Sequence, residues 1–264
     1  MAQKYLLVRE NPYKGGGQVE TPPNNEIWYT TTDNEKVYLS VDDICNANIL
    51  SHTYENEKGI IKFDDALTTI NQQAFYVDDE DSTSSLKTVI LPNSISVIGH
   101  GAFGYCSTLT SIIMPNGLQT IGQSVFAGCD NLYSIAIPDS VTSIGAFAFQ
   151  YCSGLTSVNI PDGVTSIDNG TFEKCSSLTS IDIPNGVTSI GNSAFEGCSG
   201  LTSIIIPDSV TSIGDNAFDN CSSVNSIYIP DNVKSIEVGA FYNVPHIEYH
   251  GTATGSPWGA KSMN

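Results

Sequence analysis

From Pro92 to Val244 the chain repeats one order of apolar and polar positions every 23 residues. The copy from Leu201 to Ser223 reads "LTSIIIPDSVTSIGDNAFDNCSS". Ile204 and Ile206 fall on one side of an alternating run and Ile205 on the other, a period of two that predicts a strand. Pro207 has no N–H to give a ladder and ends it. "PDSV", or "PNGV" elsewhere, suits a turn, because proline presets φ and Asp, Asn and Gly tolerate turn geometry. "VTSIG" turns Val210 and Ile213 inward and predicts a second short strand. "DNAFDNC" is expected to bring the chain back through a helical or 3₁₀ turn, with Phe218 and Cys221 inward.

Three residue types keep this period. Prolines recur at 92, 115, 138, 161, 184, 207 and 230, and phenylalanines at 103, 126, 149, 172, 195, 218 and 241. Cysteines keep step at 106, 129, 152, 175, 198 and 221, and Val244 takes the seventh place. Such self-similarity predicts a solenoid, because one unit cannot cover its apolar side alone and stacked units share a core. At ~4.8 Å per strand, about eight turns would stack to ~40 Å.

The consensus LxxIxIPxxVxxIGxxAFxxC, held over seven consecutive copies between about Ile60 and Trp258, resembles the BspA-like class of leucine-rich repeat. The resemblance implies a β-rich, right-handed, curved solenoid with a parallel sheet on its concave face and short 3₁₀ or helical turns on the return side. It also implies adhesion or protein binding at the surface of a bacterial cell, or secretion.

The ends depart from the unit, as solenoid caps must. "GIIKFDDALTTINQQAF" (Gly59–Phe75) reads as a degenerate first repeat, with Leu67, Ile70 and Phe75 at the expected offsets. "VDDEDS" (Val77–Ser82) is an acidic insertion in its loop. "EIWYTTTDNEKVYLS" (Glu26–Ser40) reads as two strands around a polar turn. The division is therefore a small β-rich N-terminal cap or appendage over 1–58 and a solenoid over 59–264. The solenoid ends in a C-terminal cap from about 246, where Trp258 is expected to cover the core.

Charge narrows the partners. With 10 Lys+Arg against 28 Asp+Glu the chain carries a formal −18. Such a surface repels nucleic acid and anionic membranes and attracts basic proteins or divalent cations. No apolar run approaches the ~20 residues of a membrane helix. The N-terminal "MAQKYLLVRENPYKGGG" lacks a signal-peptide pattern, because "YLLV" is short and Arg9 and Glu10 follow it.

Candidate chemistry is sparse. Six cysteines in one column have parallel Cβ vectors that suit a disulfide poorly, and Val244 could replace a small buried hydrophobe but not a bridge partner or ligand. They read as core fillers, with disulfide or metal binding as the alternative, and serine in their place should leave a poorly paired hydroxyl. Cys45 is unassigned. His246 and His250 are four apart but sit in a strand-like segment without further ligands, so surface histidines are the simpler reading than zinc. Asp78–Asp81 could attract calcium or form a solvated insertion, and it lacks the alternating spacing of a preformed loop. The Asp139, Asp162, Asp208 and Asp231 column reads as turn chemistry. No HExxH, GxSxG or Walker pattern occurs. The residues thus point to no catalytic group, cofactor or metal.

One column varies between constant neighbours: Ile113, Ala136, Asn159, Asp182, Ile205 and Tyr228, beside Ser111, Ser134, Ser157, Ser180, Ser203 and Ser226. Outward residues that change on a constant scaffold are what a binding face offers, although any solvated position can drift. The expectation is a non-enzymatic protein that binds a protein partner through this column. The alternatives are a structural spacer whose binding lies elsewhere and, ranked last, a carbohydrate-active enzyme.

Overall fold

In the computed structural model, which describes residues 20–37, 39, 44–77, 85–225 and 227–249, the repeats form a β-solenoid of about seven turns. At its N-terminal end lie β1 (Glu26–Thr31), β2 (Ile49–Glu55) and β3 (Lys58–Phe63). The coils follow as β4 (Thr69–Ile70), β5 (Leu86–Ile90), β6 (Val97–Ile98), β7 (Ser111–Ile113), β8 (Thr120–Ile121), β9 (Ser134–Ile135), β10 (Ser143–Ile144) and β11 (Ser157–Asn159). They continue as β12 (Ser166–Ile167), β13 (Ser180–Asp182), β14 (Ser189–Ile190), β15 (Ser203–Ile205), β16 (Ser212–Ile213), β17 (Ile227–Ile229), β18 (Ser235–Ile236) and β19 (Ile247–Tyr249).

Odd-numbered strands from β5 build one parallel face, here the long-strand face, and even-numbered strands from β4 build the other. Register follows the repeat: Ser157 pairs Ser180, Asn159 pairs Asp182 and Asp182 pairs Ile205, each 23 residues on. Any slip by one residue would turn the inward isoleucines to solvent. The final step is shorter, since Ile227 pairs Ile247 and Tyr228 pairs Glu248.

Between the faces the core is a set of columns. Phe75, Phe103, Phe126, Phe149, Phe172, Phe195, Phe218 and Phe241 are buried, and successive rings stack 5.2–5.8 Å apart with planes within 19°. Leu67, Ile70 and Phe75 are buried at their expected offsets, so the degenerate first unit forms a true coil.

The return side corrects one expectation: no helical or 3₁₀ turn forms there among the described residues. The N–H groups of Gly101, Phe103 and Tyr105 donate to Gln123, Val125 and Ala127 of the next coil, at 2.8, 3.0 and 2.6 Å. Those of Ala102, Gly104 and Cys106 close local turns three residues back. Half the donors thus point along the stack, whereas a helix would keep them all to itself. Two residues per coil also adopt left-handed φ, such as Phe147 and Tyr151 at 59°, and helices of L-residues cannot absorb them. Where the first of these is bulky, the next coil can carry glycine: Gly170 sits under the Phe147 ring, and a Cβ there would overlap it.

At the N-terminal end β1 lies between β3 and β5 in a single sheet and is antiparallel to both. Trp28 pairs Ile60 on one side and Ile90 on the other. The boundary expected after residue 58 therefore falls inside a β-hairpin. That hairpin joins β2 to β3 through Asn56 and Glu57, whose φ values of 52° and 63° fit a two-residue type I′ turn. The second strand expected within Glu26–Ser40 is not seen among the described residues. Val37 is instead buried outside any strand and gives its N–H to the Tyr29 hydroxyl at 3.3 Å. The edge of β4 is closed as well: Asn46 Oδ1 accepts the N–H groups of Thr68 and Thr69, and Asn71 donates its backbone N–H to Ile44. Antiparallel and irregular segments thus cover both sheet edges, which would otherwise invite pairing with other chains. The Asp78–Asp81 run and Trp258 lie outside the described residues.

Candidate functional site

The Ser-Ile-x segments point the serine and the variable residue away from the core, because alternate residues of a strand face opposite ways. Ala136, Asn159, Asp182, Ile205 and Tyr228 are all exposed, Ile205 at 78% and Tyr228 at 50%. The structure therefore brings the expected column together on one face. Ile113 is only half-buried, and sequence reading missed its predecessor Ile90, which shares the column but is buried. Both lie near β1, whose outward Trp28 stands in register beside Ile90. Lys58 places its ammonium 3.1 Å from the centre of the Trp28 ring, and Glu26 accepts from the indole N–H. The N-terminal end of the face is thus occupied by the chain's own groups, and the open part runs from Ala136 to Tyr228.

The constant threonines beside this column have a structural task. Thr110, Thr156, Thr179 and Thr202 each donate Oγ1–H to the backbone carbonyl 23 residues earlier, on Lys87, Tyr133, Thr156 and Thr179, at 2.9–3.3 Å. Tyr133 breaks the hydroxyl ladder and stands out at 55% exposure, its own hydroxyl donating to Asn131. A pattern "T-S-hydrophobic" would look uniform in sequence, yet only the structure shows that the threonine bonds the scaffold while the serine lies on the open side.

All seven cysteines are buried, and none is joined in a disulfide. Each of the six in the column aims its thiol at the carbonyl of a phenylalanine in the preceding coil, as Cys152 does toward Phe126 at 3.0 Å and Cys198 toward Phe172 at 3.0 Å. Burial pushes the Cys152 thiol well up and the Cys221 thiol to about 12, so neither offers a thiolate at neutral pH. The carbonyl also revises the expectation for serine, whose hydroxyl would find the same acceptor. Cys152→Ser is then expected to cost about 1 kcal/mol, the scale of one weakened buried hydrogen bond, and Cys152→Val no more. A thiol reagent should find no reactive cysteine in the native protein and all seven after denaturation without reductant. Recovering fewer in denaturant would contradict the reduced column.

Among the described residues no group of three or more His, Cys, Asp or Glu is placed to hold a metal ion. His246 is half-buried and His250 lies outside the described residues. On the return side Glu196 pairs with Lys174 at 2.7 Å, while burial and then the Glu196 charge raise the Asp219 carboxyl. No helix of the described residues is long and apolar enough to cross a membrane.

Comparison with known families matches this chain to the BspA type leucine rich repeat region, in six copies over residues 47–156, 81–202 and 142–253. No protein of curated function matches it. Among solved structures, a leucine-rich repeat protein from Eubacterium ventriosum is similar at 28% identity and a TM-score of 0.56, over 67% of this chain and 46% of that one. This chain therefore spans less than half of that protein's length. A leucine rich repeat protein of T. pallidum aligns at 30% identity over 53% of this chain and 74% of that one, with a TM-score of 0.42. A leucine rich cell surface protein from Faecalibacterium prausnitzii aligns at 22% identity over 76% and 79% of the two chains, with a TM-score of 0.40.

Proposed function

Because the chain belongs to the BspA-type leucine-rich repeat family, we propose that it is a non-enzymatic module that binds a protein partner through the open part of its long-strand face. The observation that carries this reading is the variable column. Its residues differ from coil to coil on strands whose inward isoleucines are held by packing and whose threonines are held by a ladder of hydrogen bonds. Two of its members, Ile205 and Tyr228, expose large apolar side chains on successive coils, which a solvated face has no reason to favour. Tyrosine is also enriched among the residues that dominate interfaces. The family resemblance supports a role at the cell surface or in the secreted fraction.

The test starts from a partner recovered by affinity capture and then measured with purified proteins. Tyr228→Ala should weaken that complex by about 1–3 kcal/mol, the usual range for an interface anchor, with little change in thermal stability. If neither Tyr228→Ala nor Ile205→Ser changes the affinity, the solenoid is a spacer and binding lies elsewhere. Deleting residues 1–58 is a poor control, because it strips β1 from between β3 and β5.

A further inference from the structure

The long-strand face is electrically divided. Lys58, Lys62 and Lys87 lie on or beside its N-terminal strands, whereas the odd-numbered strands from β7 to β17 carry no lysine or arginine. The segments that lead from them to the even-numbered strands carry a single one, Lys234. Toward the other end, Asp182 stands in register beside Ile205, and Tyr228 follows on the next coil. Asp208 and Asp231, both exposed, come three residues after Ile205 and Tyr228 on the same two coils, past the prolines that end the strands. An apolar step is therefore set among carboxylates at one end and along one side.

Building on the protein-binding reading, we propose that Asp182, Ile205 and Tyr228, flanked by Asp208 and Asp231, dock an extended segment of a partner protein that carries a lysine or arginine two residues from a large apolar side chain. The spacing argues for that pattern. Neighbouring strands are ~4.8 Å apart, so Asp182 lies one spacing from Ile205 and two from Tyr228, ~5–10 Å. In an extended segment, side chains on the same face recur every two residues, at ~6.6–6.8 Å. An apolar side chain laid over Ile205 and Tyr228 then places a cation two residues away above Asp182, while a cation on the adjacent residue points to the opposite side. Ser180 and Ser203 beside the row are small and leave the crossing segment room. The formal −18 of the chain adds long-range attraction for such a partner.

The probe is a fluorescein-labelled peptide, GSTKTLTSG, compared with GSTETLTSG and with GSTTKLTSG, in which the cation moves next to leucine. Fluorescence anisotropy at about 20 mM salt, where screening is weak, should show the first peptide binding at least about fivefold more tightly than either control. Asp182→Asn and Tyr228→Ala should each erase most of that preference, Asp139→Asn on a distant coil should not, and about 0.5 M salt should shrink it. Equal affinity for the three peptides, no binding at all, or indifference to both substitutions would overturn the proposal. Should Tyr228→Ala nevertheless weaken a captured protein partner, the binding face stands and only its cationic specificity falls.

Discussion

Phe172→Ala is expected to destabilise the protein by about 3–5 kcal/mol, the range for emptying a buried aromatic site. The ring is fully buried and stacks on Phe149 at 5.5 Å and on Phe195 at 5.5 Å, so its loss removes two ring contacts at once. The backbone around it is bonded to both neighbouring coils, so the cavity cannot readily close. The Phe149 N–H of the preceding coil donates to the Thr171 carbonyl, Phe172 N–H donates to the Ala194 carbonyl of the following coil, and the Cys198 thiol of that same coil donates to the Phe172 carbonyl. Because each coil touches only its neighbours, a defect in mid-stack also weakens the coupling between the two halves. Denaturant unfolding followed by both fluorescence and circular dichroism should show a lower midpoint, and the two probes should separate if the halves uncouple. A loss below about 1 kcal/mol would mean that the rings are not a continuous core.

Tyr29→Ala should cost a comparable amount, about 3–5 kcal/mol, but concentrated at the N-terminal end. Tyr29 is buried, lies over Gly59 where any Cβ would overlap its ring, and sits on the strand that joins β3 to β5. Hydrogen exchange should show the amides of β1, β3 and β5 losing protection before those of β11 to β16. The milder Tyr29→Phe isolates the hydroxyl, which meets His52 Nε2 at 2.5 Å and accepts from Val37 N–H. Burial drives the Tyr29 phenol up to about 12, so it remains a neutral donor and acceptor throughout the working range. Removing it leaves a buried N–H without its acceptor, at about 1–3 kcal/mol.

The same pair predicts a pH dependence. Burial, and then the charge of Lys36, hold the His52 imidazole below its ordinary range, so the folded state favours the neutral ring. The unfolded chain takes up the proton more readily. The stability contributed by neutral His52 is therefore complete above its unfolded value of about 6.5 and is lost as pH falls below it. His52→Gln should flatten the dependence of stability on pH in that window. An unchanged slope would show that His52 does not titrate with the cap.

The repeat itself determined most of this architecture. A proline that cannot join a ladder, alternating isoleucines and one phenylalanine per 23 residues leave the chain few ways to bury its apolar side, so coils, register, core columns and the outward direction of Asp182, Ile205 and Tyr228 could all be read from spacing. Val244 in the cysteine column told the same way that the thiols fill space. The tertiary structure alone decided what depended on contacts between coils or between distant segments. Return segments that resemble helical turns became stacked turns, because every second N–H found an acceptor on the next coil. Thr156 and Thr179 proved to be scaffold donors and the thiols to have carbonyl partners, neither of which a column of letters can show. The course of β1 was equally hidden. Its six residues carry no repeat signature, and their place between β3 and β5 was set by two sheet edges that needed covering. That placement buries Ile90 and leaves Ile205 open, although the two occupy the same position of the same repeat.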